Sequence, residues 1–254
     1  GSGPAVPTPK PAPAPAAGPK PAPFVAASSH GKIQVNRLSS MRRAISKKMN
    51  QAKPGVPHFS YVEEVDVTDL EAMRREMNAK ADGGEKLSIL PFIMRALILS
   101  VPEAPYVNAL YNGDRQEVHI YDEIRLGIAV ATDKGLMVPV IGNAQKKDVY
   151  EAAAAIRHVA EAARDGTASR DELVGSTMTL TSLGALGGIA STPVLNPPEV
   201  AIIGVNKVRT APVWNGEAFE PRQLMNLSCS FDHRIIDGQA AAKFVAAMKR
   251  RIET

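Results

Sequence analysis

Apolar and polar positions change period several times along this chain, and each change marks an element. Leu224-Met225-Asn226-Leu227-Ser228-Cys229-Ser230-Phe231 has the length and alternation of a strand, and predicts strand over 220–231. From Gly238 onward Ala242, Phe244, Val245 and Met248 recur at helical spacing. Upstream, Met41, Ile45 and Met49 share one face of a predicted helix over 41–51, capped by Ser39 or Ser40 and closed by Pro54-Gly55. His58 opens a strand over 58–67 rich in β-formers. Thr68 with Glu71 reads as a capping box before a helix whose buried face is Leu70, Met73 and Met77. After the Gly83-Gly84 turn, Ser88 heads a strongly apolar helix over 89–101, the expected centre of the core.

The second half reads as strands around one alanine-rich helix. A hairpin is expected from 106–111 and 117–121 across Asn112-Gly113. Strands follow over 124–131 and 136–141, joined across Asp133-Lys134-Gly135. Asp148 caps a helix over 149–164, which Asp165-Gly166 closes. Further strands are expected over 176–182, 199–205 and 208–214. The strands are too irregularly interleaved for a βαβ series, so the fold class is α+β.

Composition divides the chain in two. Of 20 prolines, nine fall between Pro4 and Pro23 in a Pro-Ala-Lys tract. That composition cannot bury apolar surface, so residues 1–31 are expected to be a disordered, extended linker. Residues 32–254 suffice for one large domain with a sizeable core. The net charge of +4 draws on Lys10 and Lys20 in the tract and Arg42, Arg43, Lys47 and Lys48 in the first helix. Aromatics are only 5%, and no nucleic-acid motif is present, so a nucleic-acid partner is not expected. A basic patch suits a phosphorylated cofactor as well as a solvated helix face. The single cysteine, Cys229, leaves no intramolecular disulfide and no multi-cysteine metal site, and reads as a small buried apolar residue. No run reaches the length of a membrane span and no signal peptide is visible, so the favoured location is the cytoplasm, or the mitochondrial matrix if the source is eukaryotic, with no membrane partner and no metal.

Two stretches carry candidate chemistry. Asp232-His233-Arg234-Ile235-Ile236-Asp237-Gly238 delivers a histidine and two aspartates to a turn between strand and helix, the sort of element end on which rigid scaffolds hold reactive groups. The spacing His-x-x-x-Asp is loose, and a buried turn histidine satisfied by a neighbouring carboxylate produces it equally well. Thr179-Leu180-Thr181-Ser182-Leu183-Gly184-Ala185-Leu186-Gly187-Gly188 runs a strand into glycines, where backbone can pass close to a ligand. No Gly-Lys-Ser/Thr follows and no Gly-x-Ser-x-Gly is present, so phosphate-loop and nucleophile-elbow readings both fail. What remains is a hydroxyl pair beside a flexible loop, or simply a glycine-rich turn with β-forming threonines. His58 and His158 lack partner motifs and read as packing or structural residues.

Asp-His-Arg-Ile-Ile-Asp-Gly resembles the signature of the dihydrolipoamide acyltransferases, the cores of the 2-oxo acid dehydrogenase complexes. Thr-Leu-Thr-Ser-Leu-Gly…Gly-Gly, followed by Thr192-Pro193-Val194-Leu195-Asn196-Pro197-Pro198-Glu199-Val200-Ala201, is similar to that family's block upstream of the histidine. The similarity runs from about Arg37 to Thr254. It implies a chloramphenicol-acetyltransferase-like fold, a mixed sheet flanked by helices, that forms trimers. It also implies His233 as general base, Asp237 supporting the site, and Thr181, where the family usually has serine, as oxyanion donor. Coenzyme A is the implied second substrate, with Arg74 and Ser88 near its pantetheine-nucleotide end and Asn206 and Lys207 on the opposite wall. Other implied features are lipoyl and subunit-binding domains ahead of the linker, which this stretch does not contain, and partnership with decarboxylase and dihydrolipoamide dehydrogenase components. Trimers would build a larger cage, with each site at a subunit boundary.

The expected reaction is acyl transfer between S-acyl-dihydrolipoamide and coenzyme A. The run Pro57-His58-Phe59-Ser60-Tyr61-Val62-Glu63-Glu64-Val65-Asp66-Val67-Thr68 resembles the branched-chain type more than the succinyl type, with acetyl transfer in a pyruvate dehydrogenase complex as the alternative. A free small-molecule acetyltransferase and a non-catalytic scaffold are the other readings. The linker argues against the first, and intact His233, Asp237 and Thr181 against the second.

Overall fold

The structure is a computed structural model that describes residues 37, 39–81, 86–133 and 135–254. The expected linker over 1–31, the Gly83-Gly84 turn and Lys134 lie outside these residues. One mixed sheet is built from eight strands: β1 (His58–Asp66), β4 (Leu126–Thr132), β5 (Gly135–Met137), β6 (Val140–Ile141), β7 (Met178–Ser182), β8 (Ala201–Val205), β9 (Arg209–Trp214) and β10 (Phe219–Asp232). Its order is β1-β10-β8-β7-β4-β5, with β6 also on β4 and β9 on β10. Only β4-β7 and β7-β8 are parallel. A small hairpin of β2 (Ala109–Asn112) and β3 (Glu117–Ile120) stands apart from it. Among the described residues the α-helices are α1 (Ser40–Gly55), α2 (Thr68–Lys80), α3 (Leu90–Ser100), α4 (Val149–Asp165) and α5 (Gly238–Glu253).

Side chains alternate across a strand, so each strand has two faces. In four neighbouring strands one face is apolar: Leu126 and Ile128 of β4, Met178 and Leu180 of β7, Ile203 and Val205 of β8, and Leu227, Cys229 and Phe231 of β10. These join Phe92, Ile93 and Leu97 of α3 and Phe244, Val245 and Met248 of α5 in one core. The helix expected at the centre of the core is there: Ile93, Met94 and Leu97 are fully buried. The opposite face carries mostly small or polar residues: Gly127, Thr179 and Thr181, Gly204, then Ser228, Ser230 and Asp232, with Ile202 among them in a small apolar cluster with Val56 and Leu195. Thr179, Ser228, Ser230 and Asp232 are buried there.

Local signals explain most element ends. Ser39 caps α1 by accepting from the Arg42 amide, and the helix runs on to Gly55, so Pro54-Gly55 forms its last turn. Asp148 and Glu151 form a capping box on α4, and Gly166 ends it in the left-handed region at φ 72°. Three expectations change. The Thr68/Glu71 box is absent: Asp66 accepts from the Thr68 amide and hydroxyl, while Glu71 turns to Arg74. Ser88 makes no cap on α3, which begins at Leu90 behind Ile89. The hairpin turn is longer than Asn112-Gly113, because Asn112 pairs with Glu117 and its side chain accepts from the Arg115 amide inside the loop.

At Gly204 β8 leaves no room for a side chain against β10 on the polar face. A Cβ built there would lie 2.7 Å from the Ser228 carbonyl oxygen and 3.4 Å from Ser191 Oγ. Backbone cannot yield as a flexible side-chain end does. Gly204→Ala should therefore lower the guanidinium unfolding midpoint, by an overpacking cost of about 1–3 kcal/mol. An unchanged midpoint would mean that β8 and β10 separate freely at this point.

Candidate active site

The turn after β10 is fixed before any chemistry is considered. Asp232 is buried, and its carboxylate accepts from both the amide and the guanidinium of Arg234, the ion pair closing at 2.6 Å. The hydrogen bond to Asp232 raises the Arg234 pKa, and the guanidinium lies 4.4 Å over the Tyr111 ring. The Ile235 and Ile236 amides close the turn on the Asp232 carbonyl.

His233 is thereby held from three sides. Its amide donates to the Pro57 carbonyl at 2.9 Å, and its ring rests on Phe59 with centroids 4.8 Å apart. Nδ1 lies 3.1 Å from the Ile236 carbonyl oxygen. A carbonyl can only accept, so Nδ1 carries the hydrogen of the neutral ring and Nε2 keeps its lone pair. The side chain is exposed. Asp237 does something the sequence reading did not assign: it is the N-cap of α5, its Oδ1 accepting from the Ala240 amide at 2.8 Å. An aspartate directly before a helical pattern is an ordinary capping signal.

Thr181 sits on the polar face of β7, opposite Ala129 of β4 and Gly204 of β8. With Asn206, Leu136, Pro193 and Ser191 it lines a cavity of about 230 Å³. Asn206 is buried, whereas Lys207 is exposed and its amide donates to Gly188 in the glycine-rich loop. Thr181 does not meet His233 within the chain. Thr181 is level with Ser228 of β10, two strands away. From Ser228 to His233 is about 17 Å of strand, and two strand spacings add about 10 Å sideways, a separation of about 20 Å.

Arg74 and Ser88 lie in a third place. Arg74 grips Glu71 through Nε and Nη2 at 2.8 and 2.7 Å and donates to the Leu87 carbonyl. The Arg74 hydrogen bond holds the Glu71 carboxyl below its usual range. Two guanidinium N–H groups remain for other partners. Ser88 is exposed beside Leu87. The expected site residues thus fall into three groups: the turn with His233 and Asp237, the cavity with Thr181 and Asn206, and the α2–α3 junction.

His58 and His158 have protein partners. His58 bridges the Val56 carbonyl and the Leu195 amide, and His158 meets Glu172 at 2.9 Å. Sequence reasoning missed Glu199, a buried carboxylate that accepts from Ser176, Thr179 and Asn196 and ties the loop before β8 to β7. It also missed Ser228, whose partners lie far away in sequence. Among the described residues no helix is long and apolar enough to cross a membrane, and no group of three metal-ligating side chains is present.

Comparison with known proteins places this arrangement. The model of the 2-oxoacid dehydrogenase acyltransferase catalytic domain matches residues 30–254. The chain belongs to that family. A lipoamide acyltransferase component of a branched-chain α-keto acid dehydrogenase complex from Pseudomonas aeruginosa is 50% identical over 214 residues, 84% of this chain and 50% of that protein. A pyruvate dehydrogenase acetyltransferase component from Haemophilus influenzae is 37% identical over 88% of this chain and 40% of that protein. The chain spans about half or less of the length of these curated relatives.

Family members of known structure share the fold. The dihydrolipoamide acetyltransferase of Azotobacter vinelandii, studied for the role of a serine, a histidine and an asparagine in its catalytic mechanism, superposes with a TM-score of 0.87 at 36% identity, covering 92% of this chain and 97% of that one. The cubic core of a pyruvate dehydrogenase multienzyme complex superposes equally well, at 0.87. A chloramphenicol acetyltransferase superposes at 0.52 with 16% identity, a likeness of fold alone, and it bears out the expected fold class.

Cys229 lies between Ser228 and Ser230 on the apolar face, fully buried, and burial pushes its thiol up to about 12. A thiol held neutral is a poor nucleophile. The native protein should therefore resist an aromatic disulfide reagent and release one equivalent of chromophore only when unfolded. Rapid labelling in native buffer would show that β10 opens.

Proposed function

We propose that this chain transfers an acyl group between S-acyl-dihydrolipoamide and coenzyme A, as the core of a branched-chain 2-oxo acid dehydrogenase complex. The observation that carries the reading is a spacing. Thr181, His233 and Asp237 stand at the same separations as the serine, histidine and asparagine studied in the Azotobacter vinelandii enzyme. Threonine keeps the hydroxyl that serine offers, and aspartate keeps an acceptor of asparagine's shape.

The chemistry follows from the groups present. A thiol of pKa about 8.5 is mostly protonated at neutral pH and needs a base. In the tautomer that donates from Nδ1 to the Ile236 carbonyl, His233 offers the Nε2 lone pair and takes the thiol proton as the sulfur attacks the acyl carbonyl. The tetrahedral oxyanion then needs a donor, and the Thr181 hydroxyl supplies it. In other enzymes such a donor is worth roughly 2.7–4 kcal/mol. Collapse expels the dihydrolipoyl thiolate, which recovers the proton from His233. Asp237 acts by capping α5 and so holding the far end of the turn.

The separation of about 20 Å within one chain supports a site shared between subunits, with His233 from one copy and Thr181 from the next. The loop beside Thr181 supports it too. Leu183, Leu186 and Ile189 are exposed there, Leu186 at 93%, the kind of apolar surface that assembly covers. A ring of identical contacts closes as a trimer, and trimers then build a cage. Arg74, Ser88, Asn206 and Lys207 are the proposed contacts to coenzyme A. The lipoyl group arrives on a lipoyl domain, and decarboxylase and dihydrolipoamide dehydrogenase complete the complex. We place the assembly in the cytoplasm, in keeping with its bacterial relatives.

The branched-chain acyl group is favoured because the relatives named for that complex are 50% and 49% identical, against 37% and 38% for two named for pyruvate dehydrogenase. Acyl transfer to dihydrolipoamide from isobutyryl-CoA and from acetyl-CoA tests both levels. Faster transfer of acetyl would overturn the acyl assignment, and no transfer of either the function.

Two variants test the mechanism. His233→Ala should lower turnover by roughly 10²–10⁴-fold, the usual contribution of a positioned base, with the assembly intact by mass. Near-normal turnover would remove His233 from the reaction. Thr181→Val should lower kcat far more than it raises KM for coenzyme A, since the lost donor acts in the transition state. Co-expressing the two variants should then restore part of the activity, because some interfaces pair an intact histidine with an intact threonine. No recovery in verified mixed trimers would mean that each site is built within one chain.

A further inference from the structure

Ser228 lies at the centre of the sheet's polar face, fully buried, and takes part in no step above. Its hydroxyl joins three segments. Oγ accepts from the Ser191 amide at 3.1 Å, which ties down the loop that follows the glycines. Its hydrogen goes to Asn206 Oδ1 at 2.6 Å. An amide hydrogen can only be donated, so Oγ is an acceptor toward Ser191 and must give its own proton elsewhere. Asn206 Oδ1 is the acceptor within reach, and that fixes which way round the Asn206 amide sits.

The orientation has a consequence for the cavity. With Oδ1 turned to Ser228, Nδ2 faces the other way, toward Ser191 Oγ at 3.5 Å, the limit of a hydrogen bond. Asn206 is only 7% exposed and lines the cavity that holds Thr181. A buried amide donor with so weak a partner costs free energy unless something else satisfies it. The proposed substrate offers such a group, since the pantetheine arm of coenzyme A carries two amide carbonyls.

We infer that Ser228 is a positioning residue, which turns the Asn206 amide so that Nδ2 donates to an amide carbonyl of the pantetheine arm and clasps the Ser191 loop beside it. This rests on the acyltransferase reading for the identity of the ligand. Ser230 supplies a matched comparison. It is two residues along the same strand face, 1% exposed, and its hydroxyl meets only Ser60 at 3.3 Å.

The test is a double-mutant cycle in coenzyme A affinity, measured by calorimetry on the full chain, with KM and kcat for acyl transfer alongside. Ser228→Ala should weaken coenzyme A binding about tenfold, the equivalent of one hydrogen bond. It should raise KM with kcat held within about twofold. Asn206→Ala should do the same, and the double variant should be no worse than Asn206→Ala alone. Ser230→Ala should leave binding and turnover unchanged. Amide exchange in the peptide containing Ser191 should quicken in Ser228→Ala and not in Ser230→Ala.

Additive effects of the two substitutions, an equal loss in Ser230→Ala, or a fall in kcat without a change in affinity would each overturn the inference. A parent that binds coenzyme A but transfers no acyl group would sink the acyltransferase reading while leaving the cycle to decide the role of Ser228. A parent that binds no coenzyme A would sink both.

Discussion

The constraint on which the structure depends is the period of two along β4, β7, β8 and β10. Every second residue of these strands must be large and apolar, because α3 and α5 pack on that face. The residues between them are free of that demand, and apart from Ile202, which packs with Val56 and Leu195, most are small or polar: Gly127, Thr179, Thr181, Gly204, Ser228, Ser230 and Asp232. A slip of one residue in any of these strands would put hydroxyls into the apolar core and Leu or Phe into the cavity. The register that stabilises the core is therefore the same register that assembles the polar face. Stability and site geometry are not separate properties of these strands.

Buried polar groups on this face must find hydrogen-bond partners. They do so by chains of short contacts: Ser191 to Ser228 to Asn206 on one side, and Ser176, Thr179 and Asn196 to Glu199 on the other. No buried side-chain nitrogen or oxygen among the described residues lacks a partner. Such networks fix orientation more than they add stability, because each bond replaces one to water. That suits a site whose donors must keep one direction. The turn after β10 follows the same logic. Asp232 and Arg234 neutralise each other, so His233 between them is held by backbone contacts and by Phe59, and its Nε2 stays available.

What could be read from the sequence was what is local. The alternation of 224–231 and the caps of α4 predicted their elements, because neighbours along the chain determine both. Asp-His-Arg-Ile-Ile-Asp-Gly gave away the turn, although its spacing alone did not. Errors arose where two local signals competed. Asp66 and Glu71 could both serve the start of α2, and Arg74 drew Glu71 away. Ser228, Ser191 and Asn206 were beyond reach, since the bonds that join them span 37 and 22 positions and no periodicity encodes them. Glu199 was quoted as part of a motif, but its burial under three donors is visible only when β7 and the loop before β8 are placed side by side.

The position of the two halves along the strands explains why assembly and chemistry are linked in this reading. β10 carries Ser228 level with Thr181 and His233 at its far end, so the strand itself keeps the base and the hydroxyl about 20 Å apart. No loop movement could close that gap without unpairing β10 from β1, and β10 pairs with β1 along the whole of β1. A rigid sheet therefore cannot complete the site internally, but it can present each half at a different place on its surface. A second copy, packed by a rotation, brings the missing half without any strand moving. Thus the rigidity that separates the two groups in one chain would fix their distance in a trimer, which is what proton transfer to a positioned base requires.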